Sequence, residues 1–123
     1  MYQKDGSTVN NQAPKIKESE LQRQIIQALS YTCEVFRANV GQFKVGDRYV
    51  RTGLPKGFPD IFGYRRKDGK FFAIEIKTKT GKLSHHQKVF QNFFGKEPIL
   101  YGVARSIEDA LAIVGDEEVY RGD

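Results

Sequence analysis

The order of hydrophobic patterns along the chain predicts a mixed α/β domain, with a mixed sheet between helices. Three observations carry this expectation. Leu21, Ile25, Ala28 and Leu29 recur at helical spacing, as do Val89, Phe90, Phe93 and Phe94. Phe71 to Lys79 alternates in character and is rich in β-branched and aromatic residues, as a strand requires. Ile99 to Ala104 is a short, nearly all-apolar run between two helical patterns, which suits a buried strand.

Taken in order, Met1 to Lys17 is polar with almost no apolar periodicity and is expected to be a mobile tail. Ser19-Glu20-Leu21-Gln22 matches a capping box and opens a first helix that should run to about Tyr31. Cys33 to Val40 alternates as a strand, with Phe36 and Val40 on one face. Gln42 to Val45 and Arg48 to Arg51 flank the two-residue turn Gly46-Asp47 and read as a hairpin, made basic by Lys44, Arg48 and Arg51. Thr52 to Pro59, with Gly53, Pro55, Gly57 and Pro59, is an irregular loop that delivers Asp60 to the head of the apolar segment Ile61 to Tyr64. Asp68-Gly69 is a turn signal, and a strand of about Lys70 to Lys79 follows. Ser84-His85-His86-Gln87 is a second capping box opening a second helix, which Gly95 to Pro98 ends. Ser106 caps a last helix that runs through about Val114, and Gly115 to Asp123 is polar and expected to fray. The expected organisation is one domain over residues 18–115, between tails at 1–17 and 116–123.

The formal charge of +5 favours a polyanionic partner, nucleic acid first and an acidic membrane surface second, although extra lysines can also serve solubility alone. With one cysteine, Cys33, no intramolecular disulfide can form and a multi-cysteine zinc site is excluded. No apolar run approaches the roughly 18–20 residues of a membrane span, and no secretory signal is visible. A soluble cytoplasmic protein is expected, with no membrane partner.

The chemistry concentrates around the strand near residue 75. Alternation places Phe72, Ile74 and Ile76 on one face and Ala73, Glu75, Lys77 and Lys79 on the other. Glu75 and Lys77 then stand roughly 6–7 Å apart along the strand. Singly, each polar residue has a plain explanation: Asp60 ends a turn, Glu75 decorates a solvent face, and Lys77 and Lys79 protect an edge. Together they suggest more, because Glu is disfavoured in strands. Phosphodiester cleavage needs a Lewis acid on the phosphate and an activated water, and two carboxylates with a backbone carbonyl can hold Mg²⁺. A lysine beside them can orient water or stabilise developing charge. Glu20 is otherwise a first-turn acid favoured by the helix dipole, and Gln87 is otherwise the partner of Ser84 in its cap. One Gln87 side chain is not expected to fill the cap and reach the site fully at once. His85 and His86, adjacent on a helix, make a poor metal pair and read as surface residues of the first turn.

Gly57-Phe58-Pro59-Asp60, then Glu75-Ile76-Lys77, then Gly81-Lys82-Leu83-Ser84 with Gln87, resembles the virus-type replication-repair nuclease (VRR-NUC) family of the PD-(D/E)xK superfamily. The similarity covers roughly Glu18 to Ala112. It implies a restriction-endonuclease-like αβββαβ core and Mg²⁺- or Mn²⁺-dependent DNA cleavage. Carried over by position, Asp60 and Glu75 would bind the metal with the main-chain carbonyl of Ile76. Lys77 would position or activate the water, Gln87 would reach the same site, and Glu20 would be the first-helix acid that many superfamily members use. Small stand-alone members look like phage proteins and resemble dimeric four-way-junction (Holliday junction) resolvases.

The expected function is therefore a structure-selective, homodimeric DNA endonuclease. Lys44, Arg48, Arg51, Lys56, Lys79 and Lys82 would contact phosphates, positioning DNA without reading its sequence. Two alternatives stand beside it: a nuclease acting on flaps, ends or nicks, and a non-catalytic nucleic-acid-binding module on the same scaffold.

Overall fold

The computed structural model of the chain describes residues 16–39, 42–51 and 53–115. Its elements are α1 (Glu18–Leu29), β1 (Cys33–Arg37), β2 (Gln42–Val45), β3 (Arg48–Arg51), β4 (Ile61–Arg65), β5 (Phe71–Ile76), α2 (His85–Gly95), β6 (Leu100–Ala104) and α3 (Ile107–Val114). Four strands form one sheet in the order β1-β4-β5-β6, while β2 and β3 form a separate two-stranded hairpin. β1, β4 and β5 pair antiparallel; β5 and β6 pair parallel. A parallel pair needs a long crossover, and α2 supplies it. The sheet is thus mixed and flanked by helices, the α/β class that the sequence patterns predict. Removing the hairpin from the order leaves αβββαβ followed by α3.

The core lies on one face of this sheet. Phe72, Ile74 and Ile76 of β5 pack with Leu21, Ile25 and Leu29 of α1 and with Ala110, Leu111 and Val114 of α3. The helical spacing of α1 and the two-residue period of β5 therefore meet across one interface. The opposite face carries Phe62, Phe71, Ala73, Glu75 and Tyr101, and α2 lies against β6 and reaches Glu75 of β5 through Gln87. No residue of α2 is fully buried, and Phe93 remains 56% exposed. Among the described residues, no helix is long and apolar enough to cross a membrane.

Several boundaries differ from the sequence expectation. α1 begins at Glu18, with Lys17 as its N-cap and no side-chain cap. The Leu21 N–H already bonds the Lys17 carbonyl at 3.0 Å, so Ser19 lies inside the first turn and caps nothing. β5 ends at Ile76. The alternation that placed Lys79 beside Glu75 therefore stops short of it, and Lys79 sits in a turn closed by a Gly81 N–H to Thr78 carbonyl bond. β6 is an edge strand, only partly buried through most of its length. The hairpin matches its expected residues, but its register pairs Lys44 with Tyr49 and Val45 with Arg48, so Lys44 and Arg48 project from opposite faces. Val40, Thr52, most of the expected N-terminal tail and residues 116–123 lie outside the described residues.

Candidate active site

β4 and β5 bring the two acids together by register. Ile61 pairs with Ile74 and Phe62 with Ala73. Continuing that ladder by one residue sets Asp60 directly across from Glu75, which explains their separation of fifteen positions. One residue further, Pro59 would face Ile76 but has no N–H for the ladder. The ladder ends there, and the Ile76 N–H instead donates to Asp60 Oδ2 at 2.7 Å. The backbone that would have been the next rung fixes the carboxylate.

Glu75 is 1% exposed, although it lies on the charged face of the strand. Its Oε2 accepts a 2.7 Å hydrogen bond from Gln87 Nε2. Burial first, and then its hydrogen bond with and the charge of Asp60, push the Glu75 carboxyl up to about 9; the Lys77 ammonium opposes the shift. Two facing carboxylates in a desolvated place do not readily both stay ionised without a cation, so Glu75 holds its proton well above the ordinary carboxyl range. The donors are hard oxygens, Lys77 is the cation among the described residues that opposes the rise at Glu75, and a divalent cation would take the place of the Glu75 proton. Asp60, Glu75 and the Ile76 carbonyl fit such an ion, with its remaining positions left to water and substrate. Among the described residues no group of three or more His, Cys, Asp or Glu forms a metal cluster.

Gln87 performs both tasks that the sequence set against each other. Its Oε1 accepts from the Ser84 N–H at 2.8 Å, and its own N–H donates to Ser84 Oγ at 3.2 Å, which completes the capping box. Its Nε2 remains for Glu75. The expectation of a choice was wrong because an amide has an acceptor end and a donor end that point apart.

The loop before Asp60 is locked to the start of α2. Gly57 has φ +91, and a Cβ there would lie 2.6 Å from the His86 backbone. Phe58 inserts beside it, edge-on to Phe62, Phe90 and Phe94. The loop after Glu75 is held from β6: Arg105 Nη1 donates to the carbonyls of Thr78, Lys79 and Gly81 at 2.6, 3.3 and 2.7 Å. The Lys77 N–H bonds the Ala104 carbonyl at 3.0 Å.

Of the expected site residues, Asp60, Glu75, Ile76, Lys77 and Gln87 converge. Glu20 does not join them: its carboxylate takes Arg23 at 2.6 and 3.0 Å and Gln24 at 3.1 Å. The α1 acid whose charge adds to the rise at Glu75 is Glu18, the first residue of the helix. Lys56, Lys79 and Lys82 are exposed on the loops that bracket the acids, and Lys44 and Arg48 are exposed on the hairpin. Arg105 and Tyr101 were missed. Arg105 follows an apolar strand and precedes a cap, with no local signal of three carbonyls more than twenty residues away. Tyr101 reads from sequence as one more core aromatic.

The VRR-NUC domain family matches this chain over residues 2–108. No curated protein and no solved structure matches it.

Proposed function

Because the chain belongs to the VRR-NUC domain family, a nuclease-type family whose substrate is DNA, we propose that it is a divalent-metal-dependent endonuclease selective for branched DNA, in the manner of a four-way-junction resolvase. The observation that carries the chemistry is the buried Glu75 facing Asp60, with Lys77 beside it. A pair of desolvated acids is unfavourable as structure alone. It is useful where a cation and a phosphate are to be gathered.

In this reading Asp60, Glu75 and the Ile76 carbonyl hold Mg²⁺ or Mn²⁺. When bound, that ion supplies Lewis-acid activation of the phosphate and of the attacking water. Gln87 fixes the Glu75 carboxylate from α2. Lys77 orients the attacking water and stabilises the charge that develops on the phosphate. Of the two acids in the first turn of α1, Glu18 takes the part expected of Glu20, since Arg23 and Gln24 occupy Glu20. Lys44, Arg48, Arg51, Lys56, Lys79 and Lys82 bind the DNA backbone, which sets position without sequence.

A two-fold homodimer would offer one site to each of two strands. Support for a protein contact comes from the half of the sheet face that α2 leaves open, where Phe36, Tyr64 and Phe71 are 37–47% exposed. The test is a substrate panel: four-way junction, flap, splayed arm, nicked duplex, single strand and supercoiled plasmid, each with Mg²⁺, Mn²⁺ or EDTA. Symmetric nicking confined to the junction is expected. Equal or greater cleavage of flaps, ends or nicks replaces junction selectivity with the alternative nuclease reading. Binding that persists in EDTA, with no cleavage of any substrate, makes the chain a non-catalytic binding module.

A further inference from the structure

Tyr101 shares the face of the acidic pair. Gly102 turns toward α3, where a Cβ would lie 2.5 Å from Ile113 Cδ1. Alternation along β6 therefore turns Tyr101 to the opposite face, toward α2 and Glu75. Tyr101 pairs with Ala73 and Val103 with Glu75. The tyrosine thus stands one strand across from Glu75 and two residues along, about 5 Å and 7 Å by sheet geometry. Its ring is held by stacking on Phe94, with centroids 5.9 Å apart at 27°. Both acids of the site act on it: burial, and then the charges of Glu75 and Asp60, push its phenol up to about 12.

Among the described residues, the Tyr101 hydroxyl has no hydrogen-bond partner. A half-buried tyrosine hydroxyl ordinarily has one. Glu75 Oε2 accepts from Gln87 and Asp60 Oδ2 accepts from the Ile76 N–H, and neither takes the Tyr101 hydroxyl. A ligand with acceptor oxygens that enters beside the acids would meet this donor on the β6 side of Glu75. We propose that the Tyr101 hydroxyl contacts the DNA directly, donating a hydrogen bond to a non-bridging oxygen of the phosphate that is cleaved. This rests on the nuclease reading above. Tyr101 makes and breaks no bond and keeps its proton throughout. The choice of residue suits the place. A second lysine here would pair with Asp60 and Glu75 and weaken their hold on a cation, whereas a neutral donor leaves their charge intact.

The test uses the full chain, Tyr101→Phe, and the DNA that the wild type cleaves fastest. Phenylalanine keeps the ring on Phe94 and removes only the oxygen. The expected result is a loss of about 10–100-fold in single-turnover cleavage, the range of a hydrogen bond to a charged group, with the thermal midpoint unchanged. The second readout is a stereodefined phosphorothioate at the cleaved position, because sulfur is a poor acceptor. The diastereomer that replaces the contacted oxygen should slow the wild type more than it slows Tyr101→Phe, and the other should slow both alike. Equal cleavage by the two proteins overturns the proposal. So does a fall in midpoint that accompanies the fall in rate, or a thio penalty identical in both proteins, since either assigns the hydroxyl a structural part. A wild type that cleaves no DNA with Mg²⁺ or Mn²⁺ overturns the nuclease reading itself, and this inference with it.

Discussion

Gln87 divides its amide between a helix cap and the buried Glu75, and the two halves can be separated by substitution. Gln87→Glu keeps an acceptor for the Ser84 N–H but removes the donor to Glu75 and adds a like charge there. Its helix stability should stay near wild type, while cleavage falls by at least about tenfold, the effect of one lost charge-assisted bond. Gln87→Ala should lose both, with about 1 kcal/mol from the cap. Comparing urea midpoints and cleavage rates of the two variants checks the division; equal stability loss in both would refute it. Asp60→Ala, Glu75→Ala and Lys77→Ala should each reduce cleavage by about 10²-fold or more while leaving the protein folded by circular dichroism. Glu75 also predicts a pH dependence. Its folded carboxyl is raised from the ordinary 4.5 to about 9, so the folded chain binds that proton more tightly than the unfolded chain. The stabilisation is fully present below about 4.5 and is lost as pH rises through about 9. In EDTA the thermal midpoint should therefore fall between about pH 5 and 9. Glu75→Gln should flatten that slope, and Mg²⁺ should restore stability most at the alkaline end, where no proton competes. A flat wild-type profile in EDTA would contradict the raised carboxyl.

At the scale of elements, the site depends on loops clamped to neighbours distant in sequence. Gly57 is one such clamp, with φ +91 and the His86 backbone 2.6 Å from where a Cβ would stand. Gly57→Ala must strain the turn and push the start of α2 from the loop that carries Asp60. A loss of about 2 kcal/mol or more is expected from the urea midpoint, with cleavage reduced in parallel. Gly102→Ala meets only the Ile113 side chain, which can turn aside, and should be the milder of the two. Arg105→Ala removes the donor to three carbonyls of the Thr78–Gly81 turn. The expected result is faster proteolytic cleavage within residues 78–82 at little change in global stability. Unchanged proteolysis there would show that the turn holds itself.

For the whole molecule, the net charge of +5 predicts salt-sensitive DNA binding. Lys56 and Lys82 are exposed on the two loops that bracket the acids. Lys56→Ala and Lys82→Ala should each reduce the slope of log affinity against log salt by about 1. Fluorescence anisotropy of labelled DNA in EDTA, at several salt concentrations, measures this without cleavage. An unaltered slope would remove that lysine from the interface.

Much of the domain was legible because its signals are local. The helical spacing of Leu21, Ile25, Ala28 and Leu29, the alternation of Phe71 to Ile76, the Gly46-Asp47 turn and the Ser84–Gln87 cap depend on neighbours within a few residues. They determined the elements, the α/β class and, through Gly57-Phe58-Pro59-Asp60 and Glu75-Ile76-Lys77, the likeness to a nuclease family. What they could not determine is which groups meet. The facing of Asp60 and Glu75 follows from one register between β4 and β5, and the burial of Glu75 follows from α2 crossing above it. Ser19 matched a cap only in its letters, because the helix had already begun at Glu18. Glu20 looked like the first-helix acid, but i,i+3 geometry gave it to Arg23. Tyr101 became part of the site only through the parallel pairing of β6 with β5 and its stack on Phe94. Local pattern is written in the order of residues; burial, charge coupling and pairing between strands arise only when chain segments far apart in sequence close around one another.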